Sequence, residues 1–148
     1  MVKTNRLANV LMVEDNPGDV RLMQEAFKEV NVSVNLSIVM DGEEAIKYLS
    51  KIGEYKDVTT PDLILLDLNL PKKDGREVLQ EIKTDPNLLR IPVVVLTTSN
   101  AEQDILHCYN LHANCYIRKP VDFDEFFDVI RKIEDFWLST VILSRVTL

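Results

Sequence analysis

The sequence predicts a doubly wound α/β fold, in which helices cover both faces of a parallel sheet. Three observations indicate this class. Residues 63–66 are large and apolar without alternation, which is typical of a central strand buried on both faces. Four other strand-like segments alternate with five amphipathic segments, and short polar loops join them. No repeat, low-complexity block or Gly/Ser-rich linker interrupts the alternation, so we expect one domain.

Two strands and two helices are predicted before the central strand. Residues 9–13 form an apolar strand, and Asn16-Pro17 begins a helix because proline suits the first helical position. Residues 34–38 alternate as a strand nearer the sheet edge does, and Asp41 suits the cap of the second helix. A polar loop at 53–60 precedes the central strand. The inward helix positions are Val20, Met23, Phe27 and Val30 in the first helix and Ala45, Ile46 and Leu49 in the second.

Three helices and two strands are predicted after the central strand, which ends at Asp67. Asp74 and Glu77 have the spacing of a capping box at the start of the third helix, and Pro86 marks its end. Residues 91–96 and 115–117 are strands, with a helix from about 101 to 111 between them. Asp122 and Glu125 predict the cap of the last helix. The inward positions are Val78, Leu79 and Ile82 in the third helix and Phe126, Ile130, Ile133 and Trp137 in the last.

The totals limit the function classes. A length of 148 residues with 46% hydrophobic and 28% charged residues is ordinary for one globular domain. We expect its core to span residues 8–137, with an extension at 138–148. The net charge of −7 argues against nucleic acid or an anionic membrane as partner. No signal-peptide or membrane-span pattern occurs, so a cytoplasmic location is expected, with Cys108 and Cys115 as reduced thiols.

Right-handed crossovers favour the flavodoxin-like strand order 2-1-3-4-5, which makes the first and third strands neighbours. Glu14 and Asp15 follow the first strand and Asp67 follows the third, so their carboxylates are expected to meet at one sheet edge. Thr97 follows the fourth strand and Lys119 the fifth. Each residue alone has an ordinary interpretation, as a helix cap, a strand-end hydroxyl or a solvated charge. Their convergence predicts a site.

Clustered carboxylates favour a hard cation such as Mg²⁺, which prefers oxygen ligands and keeps several waters. We expect Asp15 and Asp67 to be the carboxylate ligands and the backbone carbonyl of Asn69 to be a third, while Glu14 supports them from behind. Mn²⁺ or Ca²⁺ would be able to replace Mg²⁺ in a crystal. An Asp carboxylate can accept a phosphoryl group, and Lys119 and a hydroxyl would neutralise charge on that group.

These motifs resemble those of a response-regulator receiver domain of a two-component system, over residues 8 to 137. The resemblance is carried by residues 13–16 (Val-Glu-Asp-Asn), 65–71 (Leu-Leu-Asp-Leu-Asn-Leu-Pro), Asp74-Gly75, Leu96-Thr97 and Lys119-Pro120. Residues 14–19, 68–75 and 91–99 further resemble the stand-alone regulators of cyanobacterial and bacterial phytochromes.

The resemblance implies a role for each matching residue. Asp67 would take a phosphoryl group from a sensor histidine kinase of the phytochrome type, and Glu14 and Asp15 would hold Mg²⁺. Thr97 and Lys119 would contact the phosphoryl group and draw the aromatic Tyr116 inward. Asn69 and Ser99 would line the approach of water in slow self-catalysed dephosphorylation, so the protein would not be a turnover enzyme. From the residues alone, without the family resemblance, Tyr116 would be interpreted as a half-exposed tyrosine of an edge strand.

Output would pass through a protein surface to an unknown downstream protein. The apolar segment at 138–148 is either part of a homodimer interface with Phe136 and Trp137, or folded back onto its own domain. Three alternative functions remain. An aspartate-nucleophile, Mg²⁺-dependent phosphohydrolase would have a second acid where Asn69 stands. A receiver-like domain that no longer becomes phosphorylated would keep the fold but not the phosphoryl-transfer chemistry. A flavodoxin-like cofactor binder is the third alternative, but the carboxylates of Glu14 and Asp15 would repel the phosphate of its cofactor.

Overall fold

The computed structural model describes residues 7–29 and 34–144, and in it five parallel strands form one sheet in the order β2-β1-β3-β4-β5. The predicted fold class and strand order are confirmed. No helix within these ranges is long and apolar enough to cross a membrane. The elements are β1 (Ala8–Val13), α1 (Pro17–Lys28), β2 (Val34–Val39), α2 (Gly42–Leu49), β3 (Leu63–Leu66), α3 (Gly75–Thr84), β4 (Val93–Thr97), α4 (Glu102–Asn110), β5 (Cys115–Arg118) and α5 (Phe123–Ile133).

The core lies on both faces of the sheet, because alternate residues of the central strands point to opposite sides. On one side Ile64 and Leu66 pack with apolar residues of α2 and α3 and with Cys108 of α4. On the other side Leu63 and Leu65 pack with residues of α1 and α5. All four residues of β3 are buried, which explains the unalternating sequence. Val30, expected on the inner face of the first helix, lies outside the described residues.

Of the five α-helices in the described part of the chain, four begin with a side-chain cap, at Asn16, Asp41, Asp74 and Asp122. The capping-box prediction for α3 was wrong in one respect. The Asp74 carboxylate accepts from the Arg76 backbone N–H at 3.1 Å and not from that of Glu77. The same carboxylate pairs with the Arg76 guanidinium, with the Asp74 Oδ1 atom 2.9 Å from Nη1. This ion pair favours the position of the carboxylate beside the backbone N–H of Arg76, one residue before that of Glu77.

Gly75 lets α3 begin directly against the loop that follows β3. A Cβ atom at this position would lie 2.2 Å from the carbonyl oxygen of Asp67 and 2.6 Å from the Cα atom of Leu68. Backbone cannot yield to such contacts, so only glycine fits here. The close approach fixes the backbone of Asp67 relative to α3.

The amino end of β4 is fastened by the amine of Lys83. Its Nζ atom donates to the carbonyl oxygens of Leu89 at 3.0 Å and Ile91 at 2.8 Å, and to Oδ1 of Asn114 at 3.1 Å. That Oδ1 atom also accepts from the backbone N–H of Val93 at 2.9 Å. Burial lowers the pKa of Lys83. One amine therefore joins α3, the start of β4 and the loop before β5.

A π-helical segment, Glu134–Thr140, continues from α5. Trp137 packs against the core beside α1 and α5, while Phe136 is 55% exposed and meets the Trp137 ring edge to face. Trp137 therefore packs onto its own domain, which is one of the two alternatives predicted for this end of the chain. The exposed Phe136 ring is available to a partner. Residues 145–148 of the expected extension lie outside the described residues.

Candidate functional site

Three carboxylates meet at the carboxyl edge of the sheet, as predicted. β1 pairs with β3, with Val13 opposite Leu66, so Glu14 and Asp67 leave neighbouring strands at the same level. One oxygen each of Glu14, Asp15 and Asp67 lie within 4.8 Å of one another. Glu14 is 1% exposed and Asp67 is 8% exposed, whereas Asp15 is half-buried. The cluster is therefore deep on one side and open on the other.

Glu14 is held from behind by the chain that follows it. Its Oε2 atom accepts from the backbone N–H of Asp15 at 3.1 Å and of Asn16 at 3.4 Å. Burial, together with a hydrogen bond to Asp67, raises the pKa of Glu14 to about 7, although Lys119 opposes this rise. Burial is the larger cause, because it disfavours the charged carboxylate, and the neighbouring Asp67 adds to it.

Lys119 extends from the end of β5 into the cluster and is 5% exposed. Its amine donates to Glu14 Oε1, to Asp19 Oδ2 at 2.9 Å and to Asp67 Oδ2 at 3.4 Å. Burial disfavours its charged form, but the hydrogen bond to Glu14 and the charges of the surrounding carboxylates outweigh burial and raise its pKa. The predicted meeting of Lys119 with Asp67 is confirmed as a contact.

Asp19 is a site residue that the sequence reading missed. It lies in the first turn of α1, where its backbone N–H donates to the Asn16 cap at 3.1 Å. The sequence signal for Asp19 was its position in the first turn of a helix that starts beside the carboxylate cluster, because that position places its side chain near the cluster.

Thr97 ends β4 and is completely buried. Its hydroxyl oxygen has no hydrogen-bond partner within residues 7–29 and 34–144. A buried polar group left unsatisfied costs about 1–3 kcal/mol, so such groups are usually satisfied unless they have a function. Lys119 is tied to the same strand end, because its backbone N–H donates to the Thr97 carbonyl at 2.7 Å. The hydroxyl is available to an oxygen-rich ligand.

Asn69 stands at the exposed rim of the site. Its backbone N–H donates to Asp67 Oδ1 at 3.5 Å, which keeps the loop after β3 close to the carboxylate. The role predicted for its carbonyl as a metal ligand stays a prediction.

Ser99 and Tyr116 form a second group beyond Thr97. The Ser99 hydroxyl donates to Asp104 Oδ2 at 2.6 Å, and the Tyr116 hydroxyl donates to the Ser99 carbonyl at 2.9 Å. The Tyr116 ring is half-buried and packs against the core beside α3 and α4. The Ser99 hydroxyl is thus bound to α4, and its expected place in the approach of water to Asp67 stays a prediction.

The residues fit a divalent cation. The three carboxylate oxygens lie within 4.8 Å of one another. Opposite oxygen ligands of an octahedral Mg²⁺ ion are about 4 Å apart, so the two distances are similar. Their chemistry fits as well, because hard oxygen donors are the ligands that this ion prefers. The cluster also holds the carboxylates of Glu14, Asp15, Asp19 and Asp67 against the one amine of Lys119, so a bound cation would offset part of their negative charge.

Comparison with known proteins gives one consistent result. The profile of the response regulator receiver domain matches residues 10–131. Response regulator Rcp1 of Synechocystis sp. is 52% identical over 134 residues, which are 90% of this chain and 91% of Rcp1.

Two solved structures with high identity agree with this match. The phosphorylated cyanobacterial phytochrome response regulator RcpA superposes with a TM-score of 0.93 at 54% identity, over 95% of this chain and 100% of that chain. The Mn²⁺-bound form of Rcp1 superposes with a TM-score of 0.91 at 51% identity, over 93% of this chain and 99% of that chain.

Proposed function

The chain belongs to the response regulator receiver domain family, and from that premise we propose that it receives a phosphoryl group on Asp67 from a sensor histidine kinase. The observation that supports this most is the arrangement around Asp67. An amine from β5 lies 3.4 Å from its Oδ2 atom, and a buried hydroxyl without a partner ends the neighbouring strand β4.

In the proposed transfer, an Oδ atom of Asp67 attacks the phosphorus atom of a phosphohistidine. The new P–O bond forms as the P–N bond breaks, and the departing imidazole nitrogen keeps the electron pair of that bond. Lys119 and Thr97 stabilise the transferred group, because the ammonium and the hydroxyl donate to its oxygens as charge moves onto them. Phosphoryl transfer requires mainly such positioning and charge stabilisation from a protein.

Mg²⁺, when bound by Glu14, Asp15, Asp67 and the backbone carbonyl of Asn69, would supply positive charge that offsets the negative charge gathered at the site. The crystal structure of Mn²⁺-bound Rcp1 supports a divalent cation for this chain too. Lys119 has its own role beside the ion. Held by Glu14 and Asp19, it presents its remaining N–H towards Asp67.

We propose that the signal leaves the site through Tyr116. Contact of Thr97 with the phosphoryl oxygens would favour the arrangement of the loop between β4 and α4 that this structure shows. That loop carries the Ser99 carbonyl, which accepts from the Tyr116 hydroxyl at 2.9 Å. The surface formed by α4 and β5 would thus exist in two arrangements whose populations phosphorylation shifts. The domain would act as a switch and not as a turnover enzyme.

Similarity to Rcp1 and to RcpA supports a phytochrome as the kinase, since RcpA is a cyanobacterial phytochrome response regulator. We also propose that the exposed Phe136 ring contributes to a homodimer interface, because the same C-terminal segment exposes two large apolar side chains, Phe136 at 55% and Ile142 at 97%. Light scattering at tens of micromolar protein tests this interface. Monomers in both wild type and Phe136→Ala would exclude it.

The decisive experiment is intact mass after treatment with acetyl phosphate and Mg²⁺. We expect one adduct of about 80 Da, labile to hydroxylamine as an acyl phosphate is, in the wild type. Asp67→Asn should form none. The matched control is Asp128→Asn, which removes an exposed carboxylate of α5 and should leave the adduct unchanged. No adduct in wild type that binds Mg²⁺ would refute phosphorylation and favour a receiver-like domain that has lost it.

A further inference from the structure

A polar cluster joins α3 to α4 beside the proposed site. The guanidinium of Arg76 binds the Asp104 carboxylate at two points, Nε to Oδ1 at 2.9 Å and Nη2 to Oδ2 at 2.8 Å. The side chains are 26% and 22% exposed, so water covers only part of the pair. This two-point geometry is the strong form of an Arg–carboxylate contact, because two parallel hydrogen bonds fix the orientation of both groups. Arg76 is further anchored on Asp74, the cap of α3.

The cluster continues from Asp104 to Tyr116. Asp104 Oδ2 accepts from the Ser99 hydroxyl at 2.6 Å, and the Ser99 carbonyl accepts from the Tyr116 hydroxyl at 2.9 Å. Hydrogen bonds from Arg76 and Ser99 lower the pKa of Asp104 to about 2, which favours its charged form near neutral pH. The chain of contacts is therefore Arg76, Asp104, Ser99, Tyr116.

The cluster connects two loops of the site. Arg76 follows the loop that carries Asp67 and Asn69, and its anchor Asp74 closes that loop. Ser99 lies two residues after Thr97, in the loop between β4 and α4. Movement of either loop relative to the other would have to stretch or break the Arg76–Asp104 contact.

We propose that Arg76 and Asp104 are positioning residues, whose ion pair holds the loop after β4 in the place where the Tyr116 hydroxyl reaches the Ser99 carbonyl. α3 thereby becomes part of the switch, although it contributes no group to the carboxylate cluster. The consequence for signalling rests on the proposed function: the pair would favour the arrangement in which Tyr116 is inward. By reciprocity, it would then also favour phosphorylation.

The test follows the reactivity of the Tyr116 ring, which rises when the ring becomes more accessible. Nitration by tetranitromethane is followed residue by residue in mass-mapped peptides, with the remote Tyr55 as internal reference. In Asp104→Asn, the amide can still accept from Ser99 but no longer carries the charge that holds Arg76. We expect Tyr116 to be nitrated roughly two- to tenfold faster, the range for loss of one coupled partly buried contact. Arg76→Gln should give the same increase.

Two comparisons separate positioning from general loosening. The double variant Arg76→Gln/Asp104→Asn should match either single variant, because the pair acts as one unit, while Arg76→Lys should retain part of the protection. Glu102→Gln removes an exposed carboxylate from the same first turn of α4 and should leave the Tyr116 rate unchanged. An unaltered Tyr116 rate in both single variants would overturn the proposal. Equal acceleration of Tyr116 and Tyr55 would do the same.

A second measurement keeps this inference separate from the proposed function. The rate of adduct formation from acetyl phosphate should fall a fewfold in Asp104→Asn and stay unchanged in Glu102→Gln. Wild type that forms no adduct refutes the proposed function and leaves the nitration result standing. Wild type that forms the adduct at the same rate as Asp104→Asn refutes the coupling to phosphorylation instead.

Discussion

Replacing Glu134 with Gln should stabilise the protein increasingly as the pH rises from 5 to 8. Glu134 starts the π-helical segment, is 1% exposed, and neither carboxylate oxygen has a hydrogen-bond partner within residues 7–29 and 34–144. Burial, and then the charge of Asp135, raises its pKa from 4.5 to about 7; Arg131 opposes the rise and Glu29 adds to it. The folded protein therefore keeps a proton on this carboxyl that the unfolded chain has lost.

The sign and size of the effect follow from this difference in proton binding. Below pH 4.5 both states carry the proton, and above about pH 7 neither does, so stability is lost as the pH rises between these values. One pKa unit corresponds to about 1.4 kcal/mol, so ionising the buried group costs about 3 kcal/mol in total. The neutral amide of Gln avoids this cost at every pH. The gain from the substitution should therefore be about 2 kcal/mol larger at pH 8 than at pH 5.

Urea unfolding followed by far-UV circular dichroism at half-unit steps of pH measures this gain. The difference between wild type and variant is the quantity to plot, because Glu14 also has a raised pKa and gives both proteins the same background slope. Asp128→Asn is the matched control, since its carboxylate on α5 is exposed and its effect should be within about 0.5 kcal/mol at each pH. A constant difference between wild type and Glu134→Gln would refute the reasoning that this carboxyl is neutral in the folded protein.

Three further predictions concern the site. Thr97→Val should raise the free energy of unfolding by about 1 kcal/mol, because it removes a buried hydroxyl that has no partner among the described residues. It should also slow adduct formation from acetyl phosphate about a hundredfold, because one donor to the phosphoryl group is lost. A variant that is less stable and equally fast would contradict this. Gly75→Ala should lower the urea midpoint by an amount equivalent to about 2–4 kcal/mol, since its Cβ would meet the Asp67 carbonyl at 2.2 Å, whereas Gly18→Ala meets only a side-chain oxygen at 3.2 Å and should cost much less. Mg²⁺ at 100 times its dissociation constant should stabilise wild type by about 2.7 kcal/mol, and Asp15→Asn should lose most of that stabilisation; equal stabilisation of both proteins would exclude Asp15 as a ligand.

The sheet and the meeting of its acids could be predicted from the sequence because the signals are local. The unalternating run at 63–66 marks a central strand, and the rule on crossovers then makes the first and third strands neighbours. Asp67 and Glu14 follow from that placement alone. The residues that cap the helices could also be predicted, since a cap side chain accepts from a backbone N–H within three positions of itself.

The contacts that the sequence could not reveal join residues far apart in the chain. Asp104 meets Arg76 across 28 positions, and Asp19 meets Lys119 across 100. Arg76, Asp104 and Asp19, taken singly, each look like an ordinary charge on a helix surface. The pairing depends on how α1, α3 and α4 rotate over the sheet, and side-chain volumes throughout the core set that rotation.

The capping box predicted at Asp74 shows the same limit on a smaller scale. Its spacing from Glu77 is right for the motif, yet Arg76 competes for the same carboxylate and prevails. A charged hydrogen bond is about twice as strong as a neutral one, so an adjacent guanidinium can redirect a cap. Local motifs are therefore reliable only where no stronger partner lies within reach.

The polar side chains at the two ends of β4 are bonded differently. At the amino end, Val93 is bonded to Asn114, and Lys83 holds Asn114 and the Ile91 carbonyl at the same time. At the carboxyl end, the Thr97 hydroxyl has no partner within residues 7–29 and 34–144. The Thr97 backbone carbonyl accepts from the Lys119 N–H at 2.7 Å, so a ligand that engages the Thr97 hydroxyl would act on β5 and on the loop towards α4 together.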